Sequence, residues 1–335
     1  MSRITDVKKI ALAVIVALTL TACAKSETPA KVQNITIAFG GDVHGVDQIS
    51  SYLNNGGNPF KNISKTLKNS DISLVNLESA VTDKTEHQDK EFVFNSNPYL
   101  LDWMKTEGID VVNVGNNHAG DYLREGFVDT LKNLNDRGFQ VIGGGESGRD
   151  AWTAKIIQVR GTKIAFLGIA KVNSGVPTVA SGEYAGTTDG WDSKVIELAI
   201  KAAARTSDAL IVYTHWGIEA KTCPTKTEVK DANLWLSWGA TAVIGSHPHR
   251  QQPFVLKDGK LIDYSLGNLV FHSTSGGGTK SGIGVLTLSP EGAVVKYVFK
   301  PALINGRNGS PSFIYGDAKD KAKRAKNSYC KSIGN

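Results

Sequence analysis

Residues 241 to 254 read TAVIGSHPHRQQPF, a short apolar run followed by two histidines, His247 and His249. The run has the length and composition of a buried strand, which places the histidines on the loop that leaves it. Neutral imidazole is the commonest metal ligand among side chains, and two imidazoles two positions apart can point into one cleft. The stretch therefore predicts either a metal site or a surface loop that carries two histidines. Ligand-type residues at equivalent places elsewhere would favour the metal site.

Four other apolar runs end in residues of this kind. Five of the seven histidines of the chain follow such a run, a distribution that scattered surface histidines would rarely produce. The runs and the residues that follow them are ITIAF (35–39) before Asp42 and His44, ISLV (72–75) before Asn76 and Glu78, IDVVNV (109–114) before Asn117 and His118, and ALIVY (209–213) before His215.

The order of the elements indicates how these strand ends meet. Strands and helices alternate through most of the chain, which predicts a mostly parallel sheet. Two later hairpins, with turns at residues 258–259 and 290–292, predict antiparallel strands that complete it. The carboxyl ends of parallel strands share one edge, where such folds bind ligands. We therefore predict a metal-binding cleft, and the alternative is a polar, hydrogen-bonded cleft without metal.

The motifs that end these strands resemble a known family. In chain order they are GD (41–42), NLE (76–78), NNH (116–118), HWGIE (215–219), GSHPH (245–249) and YSLGN (264–268). The set resembles the bacterial capsule-synthesis CapA (PGA_cap) family, whose domain is similar to the calcineurin-like metallophosphoesterases. The resemblance covers residues 35–300. It implies a metallophosphatase-like α/β-β/α sandwich of two β-sheets flanked by helices, and a role in making, exporting or processing poly-γ-glutamate or a related capsule polymer.

The same resemblance implies two divalent metal ions held by residues of these motifs. The ligands are Asp42, His44 and His249 for one ion, Asn117, His215 and His247 for the other, and Glu78 as the bridging carboxylate. Asp42 also belongs to the implied catalytic set, and His118 faces the substrate as general acid or electrostatic stabiliser. Two such ions lower the pKa of a shared water and stabilise attacking and leaving oxygens. Mixed oxygen and nitrogen ligands suit manganese, iron or zinc.

Two positions depart from the phosphoesterase pattern. The bridging position holds Glu78, which is longer than the usual asparagine or aspartate, and Ser246 lengthens the final histidine motif by one residue. The altered bridge favours an amide or a polymer end over a phosphate ester as substrate.

Four further residues near the predicted ligands are assigned to substrate binding or to the support of ligands. Trp216 and Glu219 line the substrate cleft, although a tryptophan after a strand is as often a packing residue. Asn76 and Asn268 support ligands by hydrogen bonds, and the alternative for Asn268 is a plain turn asparagine.

The N-terminus predicts export. A basic start is followed by the apolar run IALAVIVALTL (10–20) and by Leu-Thr-Ala-Cys ending at Cys23, which resembles the lipobox of bacterial lipoproteins. The prediction is a signal peptide over residues 1–22, a lipidated Cys23 and a polar tether to residue 34. The lipid then anchors the protein to a membrane. In a two-membrane cell we favour the outer membrane, facing the periplasm, and otherwise the outer face of the cytoplasmic membrane.

The other two cysteines, Cys223 and Cys330, form an even pair in a protein predicted to be exported, where disulfides persist. We predict that they are bonded, and two free thiols are the alternative. Cys330 belongs to a region, residues 301–335, that carries little pattern and is predicted to be an irregular basic tail packed on the domain.

The formal net charge of +6 is concentrated at the two ends of the chain. The signal peptide and the stretch 317–331 hold most of the excess of basic residues, so the body is near neutral and predicts no nucleic-acid partner. The predicted partners are the membrane, through the lipid, and an anionic capsule polymer or its synthesis machinery. Two other functions stay open: a plain metal-dependent phosphoesterase, and a non-catalytic export scaffold whose basic tail contacts the polymer.

Overall fold

The computed structural model describes residues 33–172, 179–273, 276–315, 324 and 330–333. The predicted signal peptide and Cys23 lie outside the described residues, and of the six basic residues in the stretch 317–331 only Arg324 and Lys331 are described. In the part of the chain that is described, no helix has both the length and the apolar character needed to cross a membrane.

The strands in the described residues fall into two large sheets and one small pair. In chain order they are β1 (Ile35–Val43), β2 (Ile72–Leu77), β3 (Val111–Asn113), β4 (Gln140–Ile142), β5 (Gly144–Gly145), β6 (Lys155–Val159), β7 (Thr162–Lys171), β8 (Gly186–Thr187), β9 (Ala209–Trp216), β10 (Ala242–Ser246), β11 (Phe254–Lys257), β12 (Lys260–Asp263), β13 (Asn268–Val270), β14 (Lys280–Leu288), β15 (Val294–Ile304) and β16 (Pro311–Phe313).

Helices connect the parallel strands. They are α1 (Gln48–Asn54), α2 (Ser64–Lys68), α3 (Tyr99–Thr106), α4 (Leu123–Asp136), α5 (Gly148–Ala151), α6 (Ser193–Arg205) and α7 (Lys226–Trp238), with a 3-10 turn at Gly276–Thr279. Helix α6 begins after Asp192, whose side chain accepts hydrogen bonds from two backbone N–H groups of the first turn. Helix α7 begins with a capping box formed by Thr225 and Glu228.

The first large sheet is parallel from β1 to β4 and antiparallel on its other side, and the second has a parallel centre and antiparallel edges. The first runs β16-β15-β14-β1-β2-β3-β4, with β13 also paired to β1, and the second runs β11-β12-β10-β9-β7-β6. Strands β1 to β4 are parallel to one another, and so are β7, β9, β10 and β12. The predicted hairpins are present as β11–β12 and β14–β15.

The two sheets face each other across a shared apolar core. That core takes side chains from both sheets, among them Phe39 and Leu74 from the first and Tyr213 and Ile244 from the second. Helices α3 and α4 cover the outer face of the first sheet, and α6 and α7 cover the outer face of the second. The architecture is an α/β-β/α sandwich, which confirms the fold class that the sequence motifs implied.

The end of β1 is bent where the chain delivers Asp42. The pairing of β1 with β2 shifts register between Phe39 and Asp42, and Gly40 and Gly41 lie in that interval. Glycine at position 41 lets the backbone approach Gly267, whose carbonyl oxygen accepts a hydrogen bond from the Asp42 N–H at 3.1 Å. The irregularity therefore aims the Asp42 side chain, as bulges beside active sites commonly do.

The region predicted to be an irregular tail is partly regular. The boundary placed after residue 300 falls inside β15, which continues to Ile304, and β16 then adds a strand to the edge of the first sheet. The sequence prediction missed the strand at residues 301–304 because the stretch PALI does not alternate apolar and polar residues. Farther on, Cys330 is bonded to Cys223, and the buried Arg324 forms an ion pair with Asp263 at 2.7 Å.

Replacing Gly41 by alanine should destabilise the fold strongly. A Cβ at position 41 would overlap the carbonyl oxygen of Gly267, a backbone atom that cannot rotate away. We expect a loss of about 3 kcal/mol in the free energy of unfolding, measured by urea denaturation.

Gly56→Ala is the matched control for Gly41→Ala. Gly56 has a positive φ of 76° and no atom within 4 Å of a built Cβ, so it reports only the conformational cost, about 1 kcal/mol. An equal loss of unfolding free energy in the two variants would show that the close contact between Gly41 and Gly267 does not require glycine at position 41.

Candidate metal centre

The ends of strands from both sheets deliver the predicted ligands to one place. In the first sheet, Asp42 pairs with Asn76 and Asn76 with Asn113, so β1, β2 and β3 end side by side. In the second sheet, His215 of β9 pairs with Ser246 of β10. The backbone N–H of His247 donates to Asp42 Oδ2 at 3.2 Å, which joins the two sheets at this edge.

Among the described residues, two groups of three side chains could hold metal ions. Within each group the candidate ligand atoms lie within 4.8 Å of one another. One group is Asp42, Glu78 and His249, and the other is Glu78, His215 and His247. Glu78 belongs to both, which is the position that the family resemblance implied for it.

Glu78 is a buried carboxylate that lacks partners. Its side chain is fully buried, and neither carboxylate oxygen accepts a hydrogen bond from the described residues. Burial, and after it the negative charge of Asp42, raises the pKa of Glu78 to about 8. A buried carboxylate is stable only beside a cation or as the neutral acid. The unpartnered oxygens of Glu78 therefore suit a divalent cation held between the two groups.

Three potential ligand atoms converge on one ring nitrogen of His215. Its Nε2 lies 2.8 Å from Asn117 Oδ1, 3.1 Å from His247 Nδ1 and 3.3 Å from Glu78 Oε1. A single N–H could satisfy only one of them, whereas a cation among these atoms would satisfy all. The other nitrogen, Nδ1, is 2.8 Å from Ser246 Oγ, which holds the ring in this orientation.

The imidazoles of the second group are neutral. Burial lowers the pKa of His215 to about 3, and burial together with the neighbouring histidines lowers the pKa of His247 to about 2. The neutral imidazole is the form that binds metal. This group can therefore accept a cation without first losing a proton from either ring.

The first group behaves differently because two carboxylates face one histidine. Burial opposes the charge on Asp42, but hydrogen bonds from His249 and Asn76 lower its pKa to about 2. Burial likewise opposes the charge on His249, but Glu78 and Asp42 raise its pKa to about 10. Without a cation, protons shared between Glu78 and His249 offset part of the negative charge of this pocket.

Hydrogen bonds from asparagine side chains hold the carboxylate of Asp42 in position. Asn76 donates to Asp42 Oδ1 at 2.9 Å, and its own carbonyl oxygen accepts from Asn113 at 2.8 Å and from Asn116 at 3.0 Å. All three amides are buried. Asn76 thus lies where the sequence placed it, as a support for the ligand Asp42.

The loop that carries His247 and His249 is held in an unusual conformation. Both residues have positive φ angles, 96° and 50°, which non-glycine residues seldom adopt and which cluster at functional sites. Asn268 Oδ1 lies 2.8 Å from His249 Nδ1, and Asn268 Nδ2 donates to a backbone carbonyl at 3.1 Å. Asn268 therefore orients a candidate ligand and is more than a turn residue.

His44 lies near the site but outside both groups. It is buried, and burial, with the charge of His249 next, lowers its pKa well below the usual value. Its Nε2 is 3.2 Å from the backbone N–H of His272, and its ring packs against Phe94 and Phe271. The structure thus brings Asp42 and His249 together with Glu78, whereas the resemblance placed His44 with them.

His118 forms a pair with a carboxylate that the sequence analysis did not assign to the site. Its Nδ1 lies 2.8 Å from Asp121 Oδ2, which fixes the ring and leaves Nε2 free. Lys90 pairs with the other oxygen of Asp121 at 2.5 Å, and Phe94 stacks on the His118 ring at 4.1 Å. The signal for Asp121 was present in the sequence, because it follows the histidine by three residues in the same loop.

A cavity of about 510 Å³ lies beside the second group, with Asn117 and His247 in its lining. Glu219 is exposed and lines the cavity. Trp216 is fully buried, donates from its indole to the Tyr264 carbonyl oxygen at 2.9 Å and stacks on Trp235. Trp216 thus lines the cavity and also packs in the core of the second sheet, while Glu219 is exposed to a ligand.

The fold and the donor cluster define a protein of the metallophosphoesterase fold. A crystal structure of a phosphatase from Mycoplasma pneumoniae aligns with a TM-score of 0.51 and 15% identity, over 81% of this chain and 94% of that one. At this identity the likeness concerns the fold alone.

The sequence places the chain more narrowly. It belongs to the bacterial capsule synthesis protein PGA_cap family, whose model matches residues 36–273. The capsule biosynthesis protein CapA of Bacillus anthracis is 29% identical over 71% of this chain and 60% of its own length. The PGA biosynthesis protein CapA of Bacillus subtilis is 32% identical over 63% of this chain and 56% of its own length. The chain thus spans less than two thirds of the length of these relatives.

Metal affinity should rise with pH. Burial raises the pKa of Glu78 and the neighbouring carboxylates raise that of His249, so this pair of residues holds a proton at neutral pH that a cation must displace. We expect the apparent affinity for Mn²⁺ to increase about tenfold per pH unit for each proton released between pH 6 and pH 8. Calorimetry in two buffers of different ionisation enthalpy counts those protons. Binding without proton release would contradict the assignment of these two residues.

Asn268→Ala should weaken metal binding while the ligands stay in place. Loss of the hydrogen bond to His249 frees that ring, and such supporting residues typically contribute about 10- to 100-fold in metal affinity. Asn233→Ala, on the exposed face of α7, is the matched control and should bind Mn²⁺ as the wild type does. Equal affinities for all three proteins would leave Asn268 without a role in the site.

Proposed function

We propose that this protein is an exported, lipid-anchored, metal-dependent hydrolase-like enzyme that acts on poly-γ-glutamate or a related capsule polymer at the cell envelope. The observation that carries the proposal is the unpartnered, buried Glu78 shared by two ligand groups, in a chain of the PGA_cap family. Manganese, iron and zinc all suit the mixed oxygen and nitrogen donors.

The residues of the cluster have separate tasks in this proposal. Asp42 and His249 would hold one divalent ion, Asn117, His215 and His247 would hold the other, and Glu78 would contribute to both sites. When bound, the pair of ions activates water and stabilises developing negative charge on the substrate. Asn117 contributes a neutral oxygen, which leaves the ions with excess positive charge for an anionic substrate.

His118 acts on the leaving group in this proposal. Asp121 accepts from Nδ1 and so fixes the tautomer when the ring is neutral, and Phe94 packs against the ring face. The Nε2 atom can then carry a proton toward the group that departs from the substrate. Lys90 balances the second oxygen of Asp121, so that this carboxylate is fully engaged.

A metal-dependent phosphoesterase is the second candidate, and the fold together with the His118–Asp121 pair favours it. The longer carboxylate at position 78 and the additional Ser246 favour the capsule polymer. Ser246 is fully buried and lies 2.8 Å from His215, so it belongs to the site.

Placement at the membrane rests on the sequence before residue 33. The apolar run and the lipobox-like ending at Cys23 support export and lipid attachment, and the disulfide between Cys223 and Cys330 is compatible with an oxidising compartment. The anchor would hold the catalytic edge near the site of polymer export. The partners in this proposal are the polymer and the machinery that makes it.

A comparison of two substrates tests the reaction. We expect the manganese-loaded protein to shorten γ-linked glutamate oligomers and to leave bis(p-nitrophenyl) phosphate largely intact. His118→Asn should lower kcat by about 10²- to 10⁴-fold without changing the metal content, whereas His87→Asn, at an exposed position, should change neither.

Each other result points to a different function. Preferential hydrolysis of the phosphodiester would establish the phosphoesterase and overturn the polymer as substrate. Tight polymer binding with no hydrolysis, unaltered in His118→Asn, would establish a non-catalytic export scaffold.

A further inference from the structure

The cavity beside the second ligand group is lined by positively and negatively charged side chains that are not candidate metal ligands. Asn117 and His247 form its wall on the side of the site. Lys171, Trp191 and Glu219 are also in its lining, and it encloses about 510 Å³. A molecule that reaches the metal centre through this cavity therefore meets one fixed cation and at least one exposed carboxylate.

The ammonium of Lys171 is fixed at the wall. It lies 3.0 Å from Asp231, donates to the carbonyl oxygen of Gly190 at 3.0 Å and sits 4.8 Å from the centre of the Trp191 ring. Its side chain is only 13% exposed. Among the described residues these two acceptors use two of its three donors, so one donor is left for an anionic group of a ligand.

The same cavity has acceptors that lack a donor. Glu228 is buried, its Oε2 accepts from the Thr225 N–H at 2.7 Å, and its Oε1 has no hydrogen-bond partner among the described residues. Glu219 is exposed on the same lining. A buried acceptor without a partner is unfavourable. A ligand that carries N–H groups could donate a hydrogen bond to Glu228 Oε1.

We propose that this cavity binds the amino end of a γ-linked glutamate chain, an inference that rests on the function proposed above. The first residue of such a chain has a free α-ammonium and a free α-carboxylate on one carbon, and its side chain leads to the first amide. The α-ammonium contacts Glu219 and the side of the cavity that holds Glu228. The α-carboxylate contacts Lys171, and the amide carbonyl then faces Asn117 and His247.

This charge pattern discriminates against two alternatives. A phosphodiester has no ammonium to place beside Glu219, so it leaves the acceptors of the cavity unpaired. A segment from the middle of the polymer has a carboxylate and an amide N–H on each residue but no ammonium, so it lacks the charged contact with Glu219. Sites built for a charged partner reject analogues that lack it.

Binding of three probes to the manganese-loaded full chain, purified in detergent, tests the inference by calorimetry. The probes are a γ-linked glutamate trimer, the same trimer acetylated on its α-amine, and the trimer with its first α-carboxylate converted to the amide. We expect either modification to weaken binding by about 10- to 100-fold. Glu219→Gln should weaken the free trimer by a similar factor and leave the acetylated trimer unchanged.

Further variants separate the proposed contacts of Glu219 and Lys171 with the trimer from general effects of charge. Glu183→Gln removes an exposed carboxylate outside the cavity and should bind all three probes as the wild type does. Lys171→Met should weaken the free trimer and leave the probe with the amidated carboxylate unchanged.

The outcomes distinguish failure of this inference from failure of the proposed function. Equal binding of the free and acetylated trimers would overturn recognition of the amino end and leave the polymer as substrate. If Glu219→Gln weakened binding of the free and the acetylated trimer equally, recognition of the amino end would also be overturned. Absence of binding by any γ-linked probe, with metal retained, would overturn the proposed function and this inference together.

Discussion

Two carboxylates buried in one pocket are the constraint on which the site depends. Asp42 and Glu78 are both fully buried, and two like charges removed from water repel each other strongly unless cations or protons accompany them. Two neighbouring groups stabilise the negative charge of this pocket. They are His249, whose pKa is raised to about 10, and the amide of Asn76. Neither donates a hydrogen bond to the oxygens of Glu78. The pocket is thus built to hold more positive charge than its own side chains provide, and a divalent cation is the simplest source.

The fold creates this pocket only when both sheets are formed. Asp42 and Glu78 come from neighbouring strand ends of the first sheet, while His215 and His249 come from strand ends of the second. The residues are far apart in the chain, so the unfolded protein has no such site, and binding of a cation would stabilise the folded state. The positive φ angles of His247 and His249 show that the backbone accepts strain to deliver these rings. Contacts such as the one between Asp42 and the His247 N–H hold the strained loop in place.

Sequence patterns could indicate the sandwich and most of the cluster because both follow from periodicity and topology. Apolar runs mark the strands, and the carboxyl ends of parallel strands share an edge, so residues such as Asp42 and His215 could be grouped without coordinates. The partner of His118 was not assigned, since a carboxylate three residues later becomes a partner only if the loop turns back. Trp216 lines the cavity as assigned, but no sequence pattern shows that its side chain is also fully buried against Trp235. His44 was grouped with Asp42 by motif; among the described residues it packs against Phe94 and Phe271 and belongs to neither group of candidate ligands.

Arg324, near the end of the chain, contacts the segment that follows His247 and His249. Arg324 is buried on the face of Phe299 at 3.7 Å, pairs with Asp263, and donates to the carbonyl oxygens of Gln252 and Ser265. Gln252 follows the histidine motif by three residues, and Ser265 precedes the turn whose Gly267 carbonyl holds Asp42. The bond between Cys223 and Cys330 fixes the same end of the chain to the segment after β9. Because removal of Arg324 would leave Asp263 buried without its cation, Arg324 is part of the structure that keeps the candidate ligands in position.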